Sequence, residues 1–415
     1  MLLLVSDLFF IGFMLDSPPA PPYSPAMAGK TYSTLELAER LVAMPTVSRD
    51  SNLHLVSFVE DYLEGHGVSC RLFENEEGTK ANLLAVLGPE DVPGIILSGH
   101  TDVVPVDGQD WSQDPFKPWI ANDRLYGRGA ADMKSFIAAV LARVPEMQSR
   151  GLTQPVYIAL SYDEELGCRG VLPMVRHLAG MKTRPRLCIV GEPTEMRVIN
   201  AHKGIRSYRV RITGLAGHSS APHLGANAIF AAAELIGFLG RLAGETRDNG
   251  PGDHRFFPPY TTFNVGEISG GSATNIIPDA AEFTWEFRPV PGFDSDGITA
   301  RFADHAVNVV LPRLREATDQ ADIEIIEMSN APALLAEDAS DAETFVMKLA
   351  RQNQTGTVSY ATEAGQFQQE AEIPAIVCGP GNIEQAHKAD EWIALDQIKA
   401  CDEFMGRFVD AVCSS

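Results

Sequence analysis

Apolar residues along the first half of the chain alternate between two spacings. The segment STLELAERLVAM, which starts at Ser33, has apolar positions at helical spacing behind a serine cap, with Glu36 three residues after the cap. It predicts a first helix, and LHLVSFVEDYLEGHG predicts a second. Strand-like and helical runs then alternate: ANLLAVLG, IILSGHTDVVP, KSFIAAVLARVPEM, VYIALSYDE, VLPMVRHLAG and RLCIVGE. This order predicts an α/β domain with a mostly parallel sheet and helices on both faces.

The pattern changes at about residue 207. Strand-like and helical runs now follow the order β-α-β-β-α-β, in RSYRVRITG, ANAIFAAAELIGFLGRLAGE, TTFNVGEISGG, AAEFTWEFRPV, ITARFADHAVNVVLPRLREA and ADIEIIEMS. That order is typical of a ferredoxin-like α+β unit. After it the first pattern returns with AETFVMKLARQNQ, TVSYATEAGQF, PAIVCGPG and a last helix. We therefore predict one α/β domain over residues 27–206 and 329–415, interrupted by an inserted ferredoxin-like domain over residues 207–328.

The composition of the chain fits a two-domain protein and argues against a nucleic-acid-binding one. A chain of 415 residues with 45% hydrophobic content is long enough for two folded domains. The net charge of -22 and the absence of a basic stripe argue against nucleic acid as a partner, because nothing would neutralise its phosphates. The six cysteines form no CxxC pair and no dense framework, so we expect a reducing, cytoplasmic setting.

The first 26 residues differ from the rest. MLLLVSDLFFIGFML is apolar and is followed by the proline-rich stretch SPPAPPYSPA. The apolar run lacks a basic start and a clear cleavage site, contains Asp7 and is too short to span a bilayer. We predict that residues 1–26 are a disordered extension outside the fold, with Met27 as an alternative start and no membrane role. A signal sequence or short anchor is the alternative.

Histidines and acids lie at or just after the ends of the buried runs. His100 and Asp102 are two positions apart, so both side chains point to one face, and Asp132 lies between a glycine-rich turn and a helix. In an open α/β sheet, residues at the carboxyl ends of different strands converge on one crevice. His100 then binds a metal while Asp102 orients its ring, and Asp132 bridges two ions. The alternatives are a core histidine in a strand-end turn and an aspartate that caps a helix.

The remaining candidates follow later strands. Glu164 and Glu165 are adjacent acids at the end of a buried strand, so one can bind metal while the other acts as general base. Glu192 and His387 complete the two ligand sets. The alternatives are a solvated acidic pair, a turn residue before Pro193 and a surface histidine. Five such residues in equivalent places favour two zinc ions, although cobalt and manganese accept the same ligands.

The motifs SGHTDVVP, GRGAADMKS, DEELGC, GEPT, GHSS and AHKADE together resemble one family from about Met27 to the C-terminus. It comprises the two-zinc amidohydrolases and exopeptidases, which include acetylornithine deacetylase, succinyl-diaminopimelate desuccinylase, aminoacylases and carboxypeptidase G. The segments DEELGCRG, ATEAGQF and GPGNIEQAHKADE are most similar to the acetylornithine deacetylase branch. The resemblance implies hydrolysis of an N-acyl amino acid, with N-acetyl-L-ornithine, in arginine biosynthesis, as the first expectation. Another acyl-amino-acid amidase, a dipeptidase or a non-catalytic binding protein are the alternatives.

The resemblance also implies a role for individual residues. It assigns His100, Asp132 and Glu192 to one zinc and Asp132, Glu165 and His387 to the other, with a cis peptide after Asp132. Glu164 becomes the general base and Asp102 the acid that orients a ligand.

Three further residues complete the expectation from the resemblance. In a homodimer His218 reaches the neighbouring subunit's site and stabilises the oxyanion, and Arg288 holds the substrate carboxylate near Asn275. For Glu363 we expect contact with a cationic substrate tail, because a carboxylate there would discriminate for an ammonium group.

Overall fold

The computed structural model describes residues 29–337 and 340–413, so the predicted extension over residues 1–26 lies outside the described residues. The helices are α1 (Thr34–Val42), α2 (Leu53–Gly65), α3 (Ser135–Ala142), α4 (Val144–Arg150), α5 (Leu172–Ala179), α6 (Ala228–Asn249), α7 (Ser295–His305), α8 (Leu311–Arg315), α9 (Asp341–Ala350), α10 (Ala364–Ala371) and α11 (Leu395–Val412). Within this part of the chain, every helix is too short or too polar to cross a membrane.

The strands build one large sheet and three smaller ones. They are β1 (Cys70–Glu74), β2 (Ala81–Leu87), β3 (Ile95–His100), β4 (Trp119–Ala121), β5 (Arg124–Tyr126), β6 (Val156–Ser161), β7 (Leu187–Pro193), β8 (Ile199–His202), β9 (Ile205–Thr213), β10 (Gly217–His218), β11 (Thr262–Gly270), β12 (Ile276–Ile277), β13 (Ala280–Arg288), β14 (Asp322–Ala331), β15 (Gly356–Val358), β16 (Ala375–Gly379) and β17 (Trp392–Ala394).

The large sheet has the order β1-β2-β6-β3-β7-β16-β8-β15. Its four central strands, β6, β3, β7 and β16, run parallel, and antiparallel pairs occur towards the edges. Alternate residues of β3 enter two different cores: Ile95 and Leu97 face one, and Ile96 faces the other. Helices α1, α3 and α11 line the first core, and α5 and α10 line the second. The predicted α/β class, mostly parallel with helices on both faces, is confirmed.

The second unit is an antiparallel sheet of order β11-β13-β9-β14 with α6, α7 and α8 packed on one face. Its core contains Trp285, Phe287 and Phe302, all almost fully buried. Along the chain the elements follow β9-α6-β11-β13-α7-β14, the expected β-α-β-β-α-β order. The strands that begin and end the unit run from residue 205 to residue 331, slightly beyond the proposed bounds of 207 and 328.

Two predicted helices are interrupted where a proline occurs. The segment KSFIAAVLARVPEM forms α3 and α4, which divide at Arg143, and Pro145 lies in the first turn of α4. The segment around residues 298–317 forms α7, an irregular turn and then α8, which has Pro312 in its first turn. Proline has no N–H and clashes with the preceding turn, so a new helix can start there but an old one cannot continue undisturbed.

A small sheet, β17-β5-β4, connects the C-terminal segment to the middle of the chain. Trp392 pairs with Tyr126, and Ala394 pairs with Arg124. This pairing places the segment that carries His387 beside the turn that carries Asp132.

Candidate metal centre

Three parallel neighbours, β6, β3 and β7, place most of the candidate ligands at their carboxyl ends. His100 is the last residue of β3, Glu192 lies near the end of β7, and Glu164 and Glu165 follow β6. His100 and Glu192 are almost fully buried. The convergence expected from the strand ends is therefore present in the fold.

Asp132 lies between the two candidate histidines. It sits in an irregular helical turn after Gly129, whose φ of 85° favours glycine, and the peptide bond between Asp132 and Met133 is cis, as expected. Its Oδ1 is 3.0 Å from Nε2 of His100, and its Oδ2 is 3.4 Å from Nε2 of His387. Because each oxygen faces a different histidine, the carboxylate has the orientation that a bridging ligand needs.

The other candidate ligands complete two groups around Asp132. Nε2 of His387 is 3.1 Å from Oε2 of Glu165, and Nε2 of His100 is 3.7 Å from Oε1 of Glu192. Donor atoms of Glu164, His100 and Glu192 also lie within 4.8 Å of one another. Distances alone therefore allow Glu164 as a ligand too, and its assignment as general base rests on the family resemblance.

Asp102 contacts His100 differently from the expected arrangement. Nδ1 of His100 donates to the backbone carbonyl of Asp102 at 2.9 Å, while the Asp102 carboxylate is 3.7 Å away. That carboxylate instead accepts from the Ser48 hydroxyl at 2.7 Å and from the amides of Glu164 and Glu165 at 3.2 and 3.3 Å. The carbonyl of Asp102 orients the imidazole, and its carboxylate fixes the acidic pair.

The chemistry of this cluster fits divalent cations. A carbonyl can only accept, so Nδ1 of His100 carries a proton, and Nε2, which faces the carboxylates, is the ring atom that would bind a metal. The buried Oε1 of Glu192 has no hydrogen-bond partner among the described residues. Four carboxylates (Asp132, Glu164, Glu165 and Glu192) surround two imidazoles, and buried negative charge of this density needs compensation.

Burial and mutual repulsion shift the pKa values of these groups. Burial raises the pKa of Glu164 to about 8, although the charge of His100 opposes the shift. Burial and the neighbouring Asp132 raise the pKa of Glu192 well above its usual range. Hydrogen bonds with Asp132 and Glu165 raise the pKa of His387 to about 10. Without metal, the cluster therefore binds protons in place of cations.

We expect the thermal midpoint of the metal-free protein to fall by several degrees between pH 5.5 and pH 8. A carboxyl such as Glu164, whose pKa is higher in the folded state, keeps a proton that the unfolded chain releases above about pH 4.5, so stability declines as pH rises towards 8. The raised pKa of His387 acts in the same direction from about pH 6.5 upward, until its pKa of about 10 is passed.

Metal should reverse this trend, because ligands must be deprotonated to bind it. The measurement is the midpoint with and without zinc at both pH values. A stabilisation by zinc that is no larger at pH 8 than at pH 5.5 would contradict this interpretation of the cluster.

The cluster opens to solvent through a cleft of about 310 Å³. Larger surface cavities, up to about 620 Å³, contain none of the candidate residues. The acidic candidate ligands line the cleft, and Ile205 and Arg288 from the second unit line it as well. The cleft therefore lies between the two units.

Several residues at this site were not predicted from the sequence. Cys168 lies in the cleft with Sγ 3.1 Å from Oε1 of Glu164, and Tyr360 donates to the carbonyl of Pro193 at 3.2 Å. Behind the cleft, the carboxylate of Glu391 accepts from the amide of Asp132 at 3.2 Å. Cys168 and Glu391 could have been found from the sequence, because they are the last residues of the motifs DEELGC and AHKADE.

The candidate substrate residues are not all in one place. Arg288, at the end of β13, lines the cleft and pairs with Glu286 at 3.1 and 3.3 Å. His218 and Asn275 lie together elsewhere on the second unit, where the amide of Ser219 donates to the Asn275 carbonyl at 3.0 Å. Neither lines the cleft of its own chain.

Glu363 does not reach the cleft. Its side chain is 1% exposed, and the Ser98 hydroxyl donates to it at 3.4 Å. Burial raises its pKa to about 7. The expectation that Glu363 contacts a substrate ammonium does not fit this position, because the start of α10 packs it behind the strand that ends in His100.

Comparisons with known proteins show which family this chain resembles. The family model described as Peptidase family M20/M25/M40 matches residues 96–411. Acetylornithine deacetylase of Proteus mirabilis (strain HI4320) is 36% identical over 403 residues, covering 91% of this chain and 96% of that protein.

Solved structures share the fold. An M20 family metallo-carboxypeptidase from Sulfolobus solfataricus superposes with a TM-score of 0.71 at 19% identity, covering 91% of this chain and 99% of that one. A dinuclear metal-binding peptidase of the M20 family from Bacillus subtilis superposes with a TM-score of 0.60 at 15% identity, covering 91% and 97%.

Proposed function

The chain belongs to peptidase family M20/M25/M40 and is a metal-dependent amidohydrolase, and from this premise we propose that it hydrolyses N-acetyl-L-ornithine to L-ornithine and acetate. The observation that carries the proposal is the cluster of four acids and two histidines in a chain 36% identical to an acetylornithine deacetylase.

The proposed cofactors are two zinc ions. His100, Asp132 and Glu192 would hold one, and Asp132, Glu165 and His387 would hold the other. Cobalt and manganese accept the same mixed ligands, so the choice of zinc as the native metal is itself a proposal. When bound, the ions polarise the amide carbonyl and make water more acidic, to a pKa of ~7.

Glu164 is the proposed general base. Its carboxylate lies in the cleft beside the ligand groups, and the contacts of its amide with Asp102 and of its side chain with Cys168 hold it in place. It takes a proton from the attacking water and delivers that proton to the departing amine, so one carboxyl group acts first as base and then as acid.

We assign the oxyanion contact to His218 of the partner subunit in a homodimer. The amide of Ser220 donates to Nδ1 of His218 at 3.1 Å, so the proton of a neutral ring is on Nε2, where it can be donated outward. Exposed apolar residues on the same unit, Phe230 at 74%, Leu224 at 62% and Ile268 at 58%, support an interface there.

Mixing two inactive variants tests this contact. Subunits with His218→Ala and subunits with Glu164→Gln are each expected to lose most activity as homodimers. In a mixed dimer one site has both intact groups, so random exchange should restore about a quarter of wild-type activity. The measurement is amine release after subunit exchange, and no recovery would mean that His218 acts within its own chain. An active His218→Ala homodimer would mean that His218 has no role.

Arg288 is the proposed contact for the substrate carboxylate. We expect Arg288→Met to raise KM for N-acetyl-L-ornithine by about 10- to 100-fold, since a hydrogen bond to a charged group contributes ~1.5–3 kcal/mol. The matched control is the carboxamide of the same substrate, for which the variant and the wild type should differ little. An equal loss on both substrates would show that Arg288 has another role, such as holding Glu286.

A substrate panel tests the proposed function itself. Zinc-loaded protein is assayed for amine release from N-acetyl-L-ornithine, N-acetyl-L-methionine, N-succinyl-diaminopimelate and a dipeptide. We expect a clear preference for acetylornithine. Preference for another member would keep the chemistry and replace the substrate, and no turnover with two ions bound would favour a binding protein.

A further inference from the structure

A buried ion pair lies directly behind the metal centre. Arg128 and Glu391 have side chains that are each 1% exposed, and Nη1 of Arg128 is 2.7 Å from Oε2 of Glu391. Neither residue lines the cleft. Buried charges of this kind are costly unless further hydrogen bonds satisfy them. The other hydrogen bonds of the pair therefore show which parts of the structure it holds.

On one side the pair holds the backbone of Asp132. Oε1 of Glu391 accepts from the amides of Ala131 and Asp132 at 2.9 and 3.2 Å. The backbone carbonyl of Glu391 also accepts from the amide of Gly127 at 2.9 Å. The turn that presents the proposed bridging carboxylate is therefore bound at three points to one residue.

On the other side the pair reaches His387. Nη2 of Arg128 donates to Oε1 of Gln109 at 2.5 Å, and Nε2 of Gln109 donates to the backbone carbonyl of His387 at 3.2 Å. Glu391 and His387 are also only four residues apart in sequence. Hydrogen bonds thus connect the backbones of Asp132 and His387 through Glu391, Arg128 and Gln109.

We propose that the Arg128–Glu391 pair positions Asp132 and His387, so that the two residues can share one metal ion. Both ligands sit on irregular backbone: Asp132 is in a non-helical turn, and His387 has a φ of 61°. Regular secondary structure does not hold them, in contrast to His100 at the end of β3. Groups that orient metal ligands usually change affinity 10- to 100-fold when they are lost.

The test is the rate at which holoenzyme loses each ion to a chelator. Glu391→Gln keeps the shape of the side chain and removes the charge that pairs with Arg128. We expect the ion held by Asp132, Glu165 and His387 to dissociate about 10- to 100-fold faster, with excess zinc restoring occupancy. Wild-type dissociation rates for both ions in folded Glu391→Gln protein would overturn the proposal.

The control is Asp402→Asn, in an ion pair that is more exposed than Arg128–Glu391. It also converts a carboxylate that pairs with an arginine, here Arg143 at 2.8 Å, but has no connection to a ligand. It should lower the thermal midpoint and leave both dissociation rates unchanged. Faster metal loss in this control to the same degree as in Glu391→Gln would show a general stability effect and would also overturn the proposal.

A second variant applies if Glu391→Gln does not fold. Gln109→Leu removes the contact to the His387 carbonyl and the acceptor for Nη2 of Arg128, while the ion pair between Arg128 and Glu391 stays in place. We expect faster loss of only the ion that His387 holds, and an unchanged rate would refute the positioning role.

The inference rests on the proposed metal centre, and metal binding by the wild-type protein distinguishes failure of the centre from failure of the positioning role. Wild type that binds no metal would refute the centre itself, whereas two ions held equally well by wild type and variants would refute only the positioning.

Discussion

Glu164→Gln is expected to lower kcat for amide hydrolysis by about 10²- to 10⁴-fold while the protein keeps both metal ions. The substitution preserves the shape of a side chain whose pKa burial raises to about 8. It removes the only function proposed for that side chain, which is to accept a proton and return it. The measurement combines turnover at saturating substrate with metal content per chain.

Glu165→Gln is the matched control for this variant. The neighbouring residue lies 3.1 Å from His387 and is a proposed ligand, so the same change there should lower metal content together with activity. If Glu164→Gln loses metal and Glu165→Gln does not, the two roles are exchanged. The presence of Glu164 within ligand distance of His100 and Glu192 makes this comparison decisive.

Asp132→Asn should have the largest effect on metal binding. Its two carboxylate oxygens face different histidines, so an amide in this place removes an anionic ligand from both ions at once. We expect affinity for both ions to fall by more than the ~10- to 100-fold that loss of an outer partner causes, with activity below detection. The measurement is metal content after dialysis against a defined free zinc concentration.

Glu192→Gln provides the comparison for Asp132→Asn. Of the two histidines, Glu192 lies near His100 only. Its loss should therefore weaken the binding of one ion and leave the binding of the other unchanged. Equal loss of both ions in Glu192→Gln and Asp132→Asn would contradict a bridging role for Asp132.

The parts of this site that could be predicted from the sequence are those fixed by regular structure. His100 and Glu192 lie on buried strands whose apolar runs are visible in the sequence, and the carboxyl ends of neighbouring parallel strands must meet. The helix breaks at Pro145 and Pro312 could also be predicted from the sequence, because proline has no backbone donor.

Contacts between distant segments could not be predicted in this way. Arg128 and Glu391 are 263 positions apart, and nothing in the local pattern of either segment indicates the other. The Asp102 carboxylate likewise meets Ser48 and two backbone amides, contacts that depend on how three loops pack. The depth of Glu363 follows from the packing of α10 against the sheet, which periodicity does not determine.

The most direct test of the account is a titration of zinc into metal-free protein while amine release from N-acetyl-L-ornithine is followed. We expect no activity without metal, about two ions bound per chain at saturation, and a rate that rises with occupancy. Full activity in chelator-treated protein, or no hydrolysis of any N-acyl amino acid or peptide with two ions bound, would contradict it.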